Sequence, residues 1–208
     1  VLKTSTQMGI NVKNFERKIS NLFSKKHGIM VNSGSSALFL AIKIFNFKKN
    51  SNVITPVFTF GTTVAAILEN KLIPNFVDIR KDTYCIDENK IEKQINSKTV
   101  AICVPNLIGN LPNWEQIKSI AKKNKLFIIE DSADTLGAKI NNKYSGHFSD
   151  VSITSFYGSH IINCAGNGGM LCTSDKKLAD DARIYRSWGR SSSLFKNSED
   201  INKRLNYK

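Results

Sequence analysis

The sequence predicts an α/β domain built on a largely parallel sheet with helices on both of its faces. Seven short apolar runs, each bounded by turn residues, have the length and composition of buried strands. Stretches with helical spacing of apolar residues separate most of these runs, and such alternation is typical of parallel sheets. The runs are apolar at consecutive positions, as expected when helices cover a sheet on both sides.

The elements follow one another regularly along the chain. In one-letter code, the predicted strands are IMVN, NVIT, IPNFV, VAICV, LFIIE, VSITSF and GMLCT. The predicted helices are ALFLAIKIF, TTVAAILEN, DENKIEKQI, NWEQIKSIAKK and KKLADDARIYRSW. The pattern is lost only in the final stretch, SSSLFKNSEDINKRLNYK, which we predict to be an exposed loop.

Composition narrows the class of protein. The 208 residues can bury a substantial core, and no apolar run reaches the roughly 18 residues of a membrane helix. The start of the chain lacks the pattern of a secretory signal, so we expect a cytoplasmic protein without membrane contact. No two of the four cysteines have C-x-x-C spacing, so we expect reduced thiols and no metal site.

The formal net charge of +13 raises the alternative of a nucleic-acid-binding module. The basic residues are mostly lysines, scattered in ones and twos at the ends of apolar segments rather than along one stripe. We therefore favour a solvated basic surface and a phosphate-bearing small substrate, with no nucleic acid as partner. The alternative predicts salt-sensitive nucleic-acid binding without a cofactor.

Ligands of parallel α/β folds collect at the carboxyl ends of the strands. After the first strand, VNSGSSAL offers a tight turn at Gly34, with the hydroxyls of Ser35 and Ser36 at the start of a helix. This arrangement suits a phosphate group, although a serine there can also be a simple helix cap. In TPVFTFGTT, Phe58 and Phe60 alternate, so one of them could lie on a ligand ring or both could belong to the core.

Two further strand ends carry titratable residues. In FIIEDSADTLGA, Glu130 and Asp131 point to opposite faces of their strand, so only one can enter the cleft. That residue could pair with the ring nitrogen of a cofactor, although Asp131 could instead cap a helix. In SFYGSHIINCAGNGGM, Ser155 and His160 precede a glycine cluster. This cluster lies before a strand and lacks G-x-G-x-x-G, which disfavours a dinucleotide site.

Taken in order, these segments resemble the DegT/DnrJ/StrS family of sugar aminotransferases, which are pyridoxal phosphate (PLP) enzymes. The resemblance also includes GINVKNFERKISNLFSKKHGIMVNSGSSAL, PNFVDIRKDTYCID and GNGGMLCTSDKKLADDARIYRSWGR. It implies the large domain of PLP-dependent transferase fold type I, a mostly parallel seven-stranded sheet between helices. Residues 1–190 would form this domain, with an N-terminal arm at 1–10. Residues 191–208 would be a loop leading toward a smaller C-terminal domain that is absent, so we expect a fragment.

The resemblance also implies roles for individual residues. Ser35, Ser36 and Ser155 would bind the cofactor phosphate, and Phe60 would stack on the pyridine ring. Asp131 would pair with the pyridine nitrogen, where a carboxylate keeps the nitrogen protonated and the ring able to accept electrons. Asp134 would lie near the ring hydroxyl, a position at which the family usually carries Gln or His.

His160 occupies the position of the lysine that binds the cofactor covalently in this family. An imidazole cannot form that bond to an aldehyde, but it can take up a proton near neutral pH. The resemblance is therefore to the histidine-containing nucleotide-sugar 3-dehydratases, which use pyridoxamine phosphate (PMP) to remove the hydroxyl at carbon 3 of a 4-keto sugar. A sugar aminotransferase and a catalytically inactive homologue remain as alternatives.

The same resemblance predicts cofactor chemistry and partners. Reductase-dependent dehydratases carry a cysteine cluster after the W-G-R motif, whereas WGRSSSLFKNSEDINKRL has no cysteine, so no iron-sulfur cluster is expected. The expected substrate is a nucleotide-linked keto sugar of deoxysugar biosynthesis for lipopolysaccharide. Glutamate is the expected amino donor, and a homodimer the expected assembly.

Overall fold

The computed structural model describes residues 8–194, and its central feature is one seven-stranded sheet. The helices are α1 (Ile10–Asn21), α2 (Gly34–Lys43), α3 (Gly61–Glu69), α4 (Glu88–Gln94), α5 (Trp114–Asn124) and α6 (Lys176–Arg186). The strands are β1 (His27–Val31), β2 (Asn52–Pro56), β3 (Ile73–Val77), β4 (Thr99–Pro105), β5 (Phe127–Asp131), β6 (Lys139–Ile140), β7 (Lys143–Tyr144), β8 (Val151–Ser155) and β9 (Gly169–Thr173). Short 3₁₀ turns occupy Leu107–Gly109, Ser145–Phe148 and Ser191–Leu194.

The strand order in the large sheet is β1-β9-β8-β5-β4-β2-β3. Strand β9 runs antiparallel to both of its neighbours, whereas the other pairings are parallel. The connection between β8 and β9 contains no helix, and a chain that returns without a crossover helix pairs antiparallel. The predicted α/β class and mostly parallel seven-stranded sheet are confirmed.

Helices cover both faces of the sheet, as the apolar strands predict. Every second residue of the central strands packs with α2, α3 and α6, as Cys103 and Ile129 do. The residues between them, such as Ile102 and Ile128, pack with α4 and α5 on the other face. This alternation fixes which face each polar residue at a strand end must occupy.

Two elements of the structure are missing from the sequence prediction. Helix α1 is amphipathic and polar over most of its surface, and it is attached to the sheet by Glu16, whose carboxylate accepts from the Met30 N–H at 2.8 Å and from Arg186 at 2.8 Å. The second element is the β6–β7 hairpin. Most of the predicted arm at residues 1–10 and of the predicted loop at 191–208 lies outside the described residues.

Within residues 8–194 no helix is both long and apolar enough to span a membrane. All four cysteines are free thiols, of which Cys85, Cys103 and Cys172 are buried and Cys164 is half-buried.

Candidate active site

A cavity of about 610 Å³ opens at the carboxyl ends of the parallel strands. Its wall is formed by the ends of β4, β5 and β8, the first turns of α2 and α3, and the loops that follow β4, β5 and β8. Six of the seven residues proposed for the site from the sequence line it: Ser35, Phe60, Asp131, Asp134, Ser155 and His160. The volume lies within the range of small-molecule and cofactor sites.

The seventh residue, Ser36, does not line this cavity. Its backbone N–H donates to the Oγ atom of Ser33 at 3.0 Å, so Ser33 is the N-cap of α2. The side chain of Ser36 lines a separate cavity of about 480 Å³. Successive residues of a helix point about 100° apart, and the motif alone does not say which serine faces the sheet. The geometry therefore gives no support to a phosphate contact by Ser36.

The first turn of α2 packs closely against the end of β8 at one end of the cavity. A Cβ atom at Gly34 would lie 2.6 Å from the Cβ atom of Ser155, so only glycine allows the first turn of α2 to approach the end of β8 so closely. Ser35 and Ser155 thereby line one cavity at the positive end of the α2 dipole. A helix N-terminus with hydroxyl groups beside it is suited to a phosphate.

Asp131 is the buried acid of the cavity, and Glu130 lies on the other face of β5, as strand alternation predicts. The Oδ2 atom of Asp131 accepts from the Thr63 hydroxyl at 3.2 Å, and Oδ1 accepts from the Ala133 N–H at 3.1 Å. Burial raises the pKa of Asp131 to about 6, although both hydrogen bonds act in the opposite direction. No cationic side chain forms an ion pair with Asp131 within the described residues, so a bound cation would be its natural partner. The helix-cap interpretation is wrong, because the partner of Oδ1 is a loop N–H.

His160 lies in the wall of the same cavity, beside Asp134. The Nε2 atom of His160 is 3.7 Å from Oδ1 of Asp134, a distance for ionic attraction rather than a direct hydrogen bond. Oδ2 of Asp134 accepts from the Ile108 N–H at 3.3 Å. The Nδ1 atom of His160 is buried and has no hydrogen-bond partner, and the ring of Tyr157 lies edge-on at 5.9 Å.

The aromatic residues of the third motif line the mouth of the cavity rather than the core. Phe60 is 73% exposed, and Phe58 is half exposed and packs on Tyr84 with ring centroids 6.1 Å apart. An apolar ring this exposed beside a cavity is available to a planar ligand. The interpretation of both phenylalanines as core residues is therefore wrong.

The motifs did not identify two polar residues near the cavity. Thr63 is fully buried on α3 and contacts Asp131, and Asn106 follows β4 and donates its backbone N–H to the Asp131 carbonyl at 2.8 Å. Asn106 directly follows a predicted strand, and the rule that ligands bind at the carboxyl ends of parallel strands points to that segment. Thr63 gives no such signal, because its contact depends on how α3 turns back over β5.

Comparison with known proteins identifies a family. The model of the DegT/DnrJ/EryC1/StrS aminotransferase family matches residues 1–208. GDP-perosamine synthase of Escherichia coli O157:H7 is 35% identical over 181 residues, which cover 87% of this chain and 50% of that protein. GDP-4-keto-6-deoxy-D-mannose 3-dehydratase of Yersinia pseudotuberculosis is 34% identical over 194 residues, covering 90% of this chain and 49% of the relative.

Solved structures agree with this assignment. The E. coli GDP-4-keto-6-deoxy-D-mannose-3-dehydratase with bound hydrated PLP superimposes with a TM-score of 0.88 at 29% identity, over 97% of this chain and 55% of that one. The chain thus spans about half the length of the relatives that it matches. Because a synthase and a dehydratase are equally similar, overall identity does not choose between their reactions.

Proposed function

We propose that this chain, a member of the DegT/DnrJ/EryC1/StrS aminotransferase family, is the cofactor-binding part of a nucleotide-sugar 3-dehydratase. Its substrate would be a nucleotide-linked 4-keto-6-deoxyhexose, and its cofactor PMP or PLP. The observation that carries the proposal is the side chain at position 160. A histidine with an unpartnered, buried Nδ1 atom faces Asp134 where the family's lysine would lie.

The cavity suits the proposed cofactor. Of its two acidic residues, Asp131 is buried without a cationic partner among the described residues, which matches a protonated ring nitrogen. Ser35 and Ser155 at the N-terminus of α2 would bind the phosphate, and the exposed ring of Phe60 would cover one face of the pyridine. Bound PMP supplies an amine that condenses with a keto sugar and a ring that accepts electrons.

His160 would be the base. Its imidazole would accept the proton, and the carboxylate of Asp134, 3.7 Å from Nε2, would stabilise the imidazolium ion that results. The Ile108 N–H fixes Asp134 by its other oxygen, so the carboxylate does not need to move when the histidine becomes charged.

The aminotransferase alternative requires a lysine that binds the cofactor aldehyde and moves protons. No lysine lines the cavity within residues 8–194, so a nearby lysine does not replace the missing one in this part of the chain. An inactive homologue would not need the His160–Asp134 pair. Glutamate as amino donor and a homodimer rest on the resemblance to the family, and a role in lipopolysaccharide deoxysugar synthesis is supported by a similar Salmonella typhimurium protein named for lipopolysaccharide biosynthesis.

The test uses the purified full-length protein with PMP and PLP added separately. We expect tight PMP binding and, with a nucleotide-linked 4-keto-6-deoxyhexose, a product that has lost the hydroxyl at carbon 3. His160→Asn should retain PMP binding and lower turnover about 10²–10⁴-fold, the usual contribution of a general base. His147→Asn is the matched control, because His147 lies outside the cavity, and it should turn over normally.

Spectra separate the alternatives. With PLP, the wild-type protein should show no dialysis-resistant absorbance band from this site, whereas His160→Lys should create one and abolish loss of the hydroxyl. Because the chain is rich in lysine, bands from surface lysines are subtracted with an excess of free PMP, which competes only at the site. A stable band in the wild-type protein that PMP removes, or an amino-sugar product, would contradict the dehydratase proposal.

A further inference from the structure

A directional chain of hydrogen bonds leads to the buried acid of the cavity. The Thr59 hydroxyl donates to Thr63 Oγ1 at 3.0 Å, and the Thr63 hydroxyl donates to Asp131 Oδ2 at 3.2 Å. Thr63 has one hydroxyl hydrogen, and an ionised carboxylate can only accept. Because the Thr63 oxygen already accepts from Thr59, its hydrogen is directed toward Asp131.

The two donors to Asp131 come from different elements. Thr63 is on the first turn of α3 and is fully buried, and the Ala133 N–H belongs to the loop after β5. Each carboxylate oxygen therefore has one protein donor and retains capacity for another. With one donor on each side, the carboxylate cannot rotate without breaking a bond, and its unused capacity remains available at the cavity wall.

We propose that Thr63 is a positioning residue, oriented by Thr59, that holds Asp131 ionised and aligned for a cation in the cavity. The inference extends the proposed function, in which that cation is the protonated ring nitrogen of the cofactor. It assigns to α3 a part in binding that the strand-end motifs do not show. A hydrogen bond to a charged group contributes more than one between neutral groups, so the hydroxyl matters most when Asp131 is charged.

Other charged groups around Asp131 do not replace the threonine. Asp134 and Glu130 are acidic, and both favour the protonated form of Asp131. The Cys103 thiol behind it is buried, which raises its pKa, so it stays neutral. His160 is beside Asp134 and is the one basic side chain on this wall within the described residues. Thr63 and the Ala133 N–H are thus the groups that favour the charged form.

The first test needs no cofactor. Thr63→Val keeps the shape of the side chain and removes the hydroxyl, whereas Thr63→Ser keeps the hydroxyl. We expect Thr63→Val to unfold at a lower temperature than the wild-type protein above pH 6, where Asp131 is ionised, and to approach the wild type near pH 4. Thr63→Ser should lower the unfolding temperature by the same amount at every pH, because it loses only a methyl group.

The second test measures PMP affinity from pH 5 to 9 by calorimetry. The wild-type affinity should fall as the pH drops through about 6, where Asp131 takes up a proton. In Thr63→Val, which lacks the hydrogen bond to Asp131, the pH at which the affinity falls should rise by about one unit. In Thr63→Ser this pH should not change.

The outcomes separate the inference from the proposed function. A wild-type protein that does not bind PMP would contradict the proposed function, while the pH-dependent stability difference would still support the role of Thr63. A Thr63→Val variant that loses stability and affinity equally at all pH values would show a purely structural role and overturn the inference.

Discussion

Glu130 and Asp131 are consecutive buried acids on β5, and they have opposite surroundings. The Glu130 carboxylate accepts from four side chains: Asn106 at 2.8 Å, Ser132 at 2.8 Å, Ser149 at 3.2 Å and Ser152 at 2.6 Å. Asp131 accepts from two groups, and one side of it faces the cavity. The fully satisfied acid is part of the scaffold, whereas the partly satisfied one is the candidate for binding a ligand.

The surroundings of Glu130 extend well beyond its first partners. Trp114 Nε1 donates to Asn106 Oδ1 at 2.9 Å, and the Thr135 hydroxyl donates to the Asn106 carbonyl at 3.0 Å. Behind them, Lys25 donates to the Ser149 carbonyl. Burial lowers the pKa of Lys25, while the charge of Glu130 acts to raise it. This network joins β4, β5, β8 and α5, so it fixes the strands whose ends form the cavity.

The largest expected loss of stability follows from removing Glu130. Glu130→Ala would leave four donors without their acceptor and remove the negative charge that stabilises the buried Lys25, and we expect the free energy of unfolding to fall by about 3–5 kcal/mol. Urea denaturation followed by circular dichroism measures this. Glu130→Gln is the control, since it keeps one acceptor oxygen and should lose less. Equal losses in the two variants would mean that packing, not hydrogen bonding, dominates at Glu130.

Replacing the neighbouring acid, Asp131, should instead stabilise the protein. The folded-state pKa of Asp131 is raised from 3.8 to about 6, so its ionised form destabilises the cofactor-free protein above pH 6 by up to about 3 kcal/mol. Below pH 4 the group is protonated in both states and the difference disappears. Asp131→Asn should therefore stabilise the cofactor-free protein at pH 7–8, but not near pH 4, and should weaken PMP binding. Thermal unfolding at several pH values measures the stability, and calorimetry measures PMP binding. If Asp131→Asn is no more stable than the wild-type protein at pH 8, ionised Asp131 does not destabilise the cofactor-free protein.

The smallest effect is expected for a change in the hydrogen-bond network around Glu130. Trp114→Phe keeps the ring in the core but leaves Asn106 Oδ1 without its donor, and should lower the free energy of unfolding by about 1–2 kcal/mol. The affinity for PMP should change little, because Trp114 does not line the cavity, and Asn106, which does, keeps its hydrogen bonds to Glu130 and Ser132. A large fall in PMP affinity would show that the two sides of β5 are coupled.

Most of the fold could be predicted because its strands are short, apolar and bounded by turn residues. Helix α1 was not predicted, although Phe15, Ile19 and Leu22 have helical spacing and pack in one cluster with the sheet. The positions of Asp131 and Ser155 in the cavity wall were predictable from the rule that strand ends form the cleft. Ser36 and Thr63 were not, because the direction of a side chain on a helix depends on how that helix packs against the sheet.

The antiparallel strand β9 has a consequence for how the protein is made. Residues 27–31 of β1 pair only with residues 169–173 of β9 among the described strands. During synthesis β1 leaves the ribosome long before its partner exists, and an unpaired strand edge is prone to wrong association. Ser35 reaches its final position near Ser155 when both this pairing and the packing of α2 on β8 have formed, and such long-range contacts form slowly. We therefore expect the part of the cavity wall that contains Ser35 and Ser155 to be among the last parts of the molecule to become ordered.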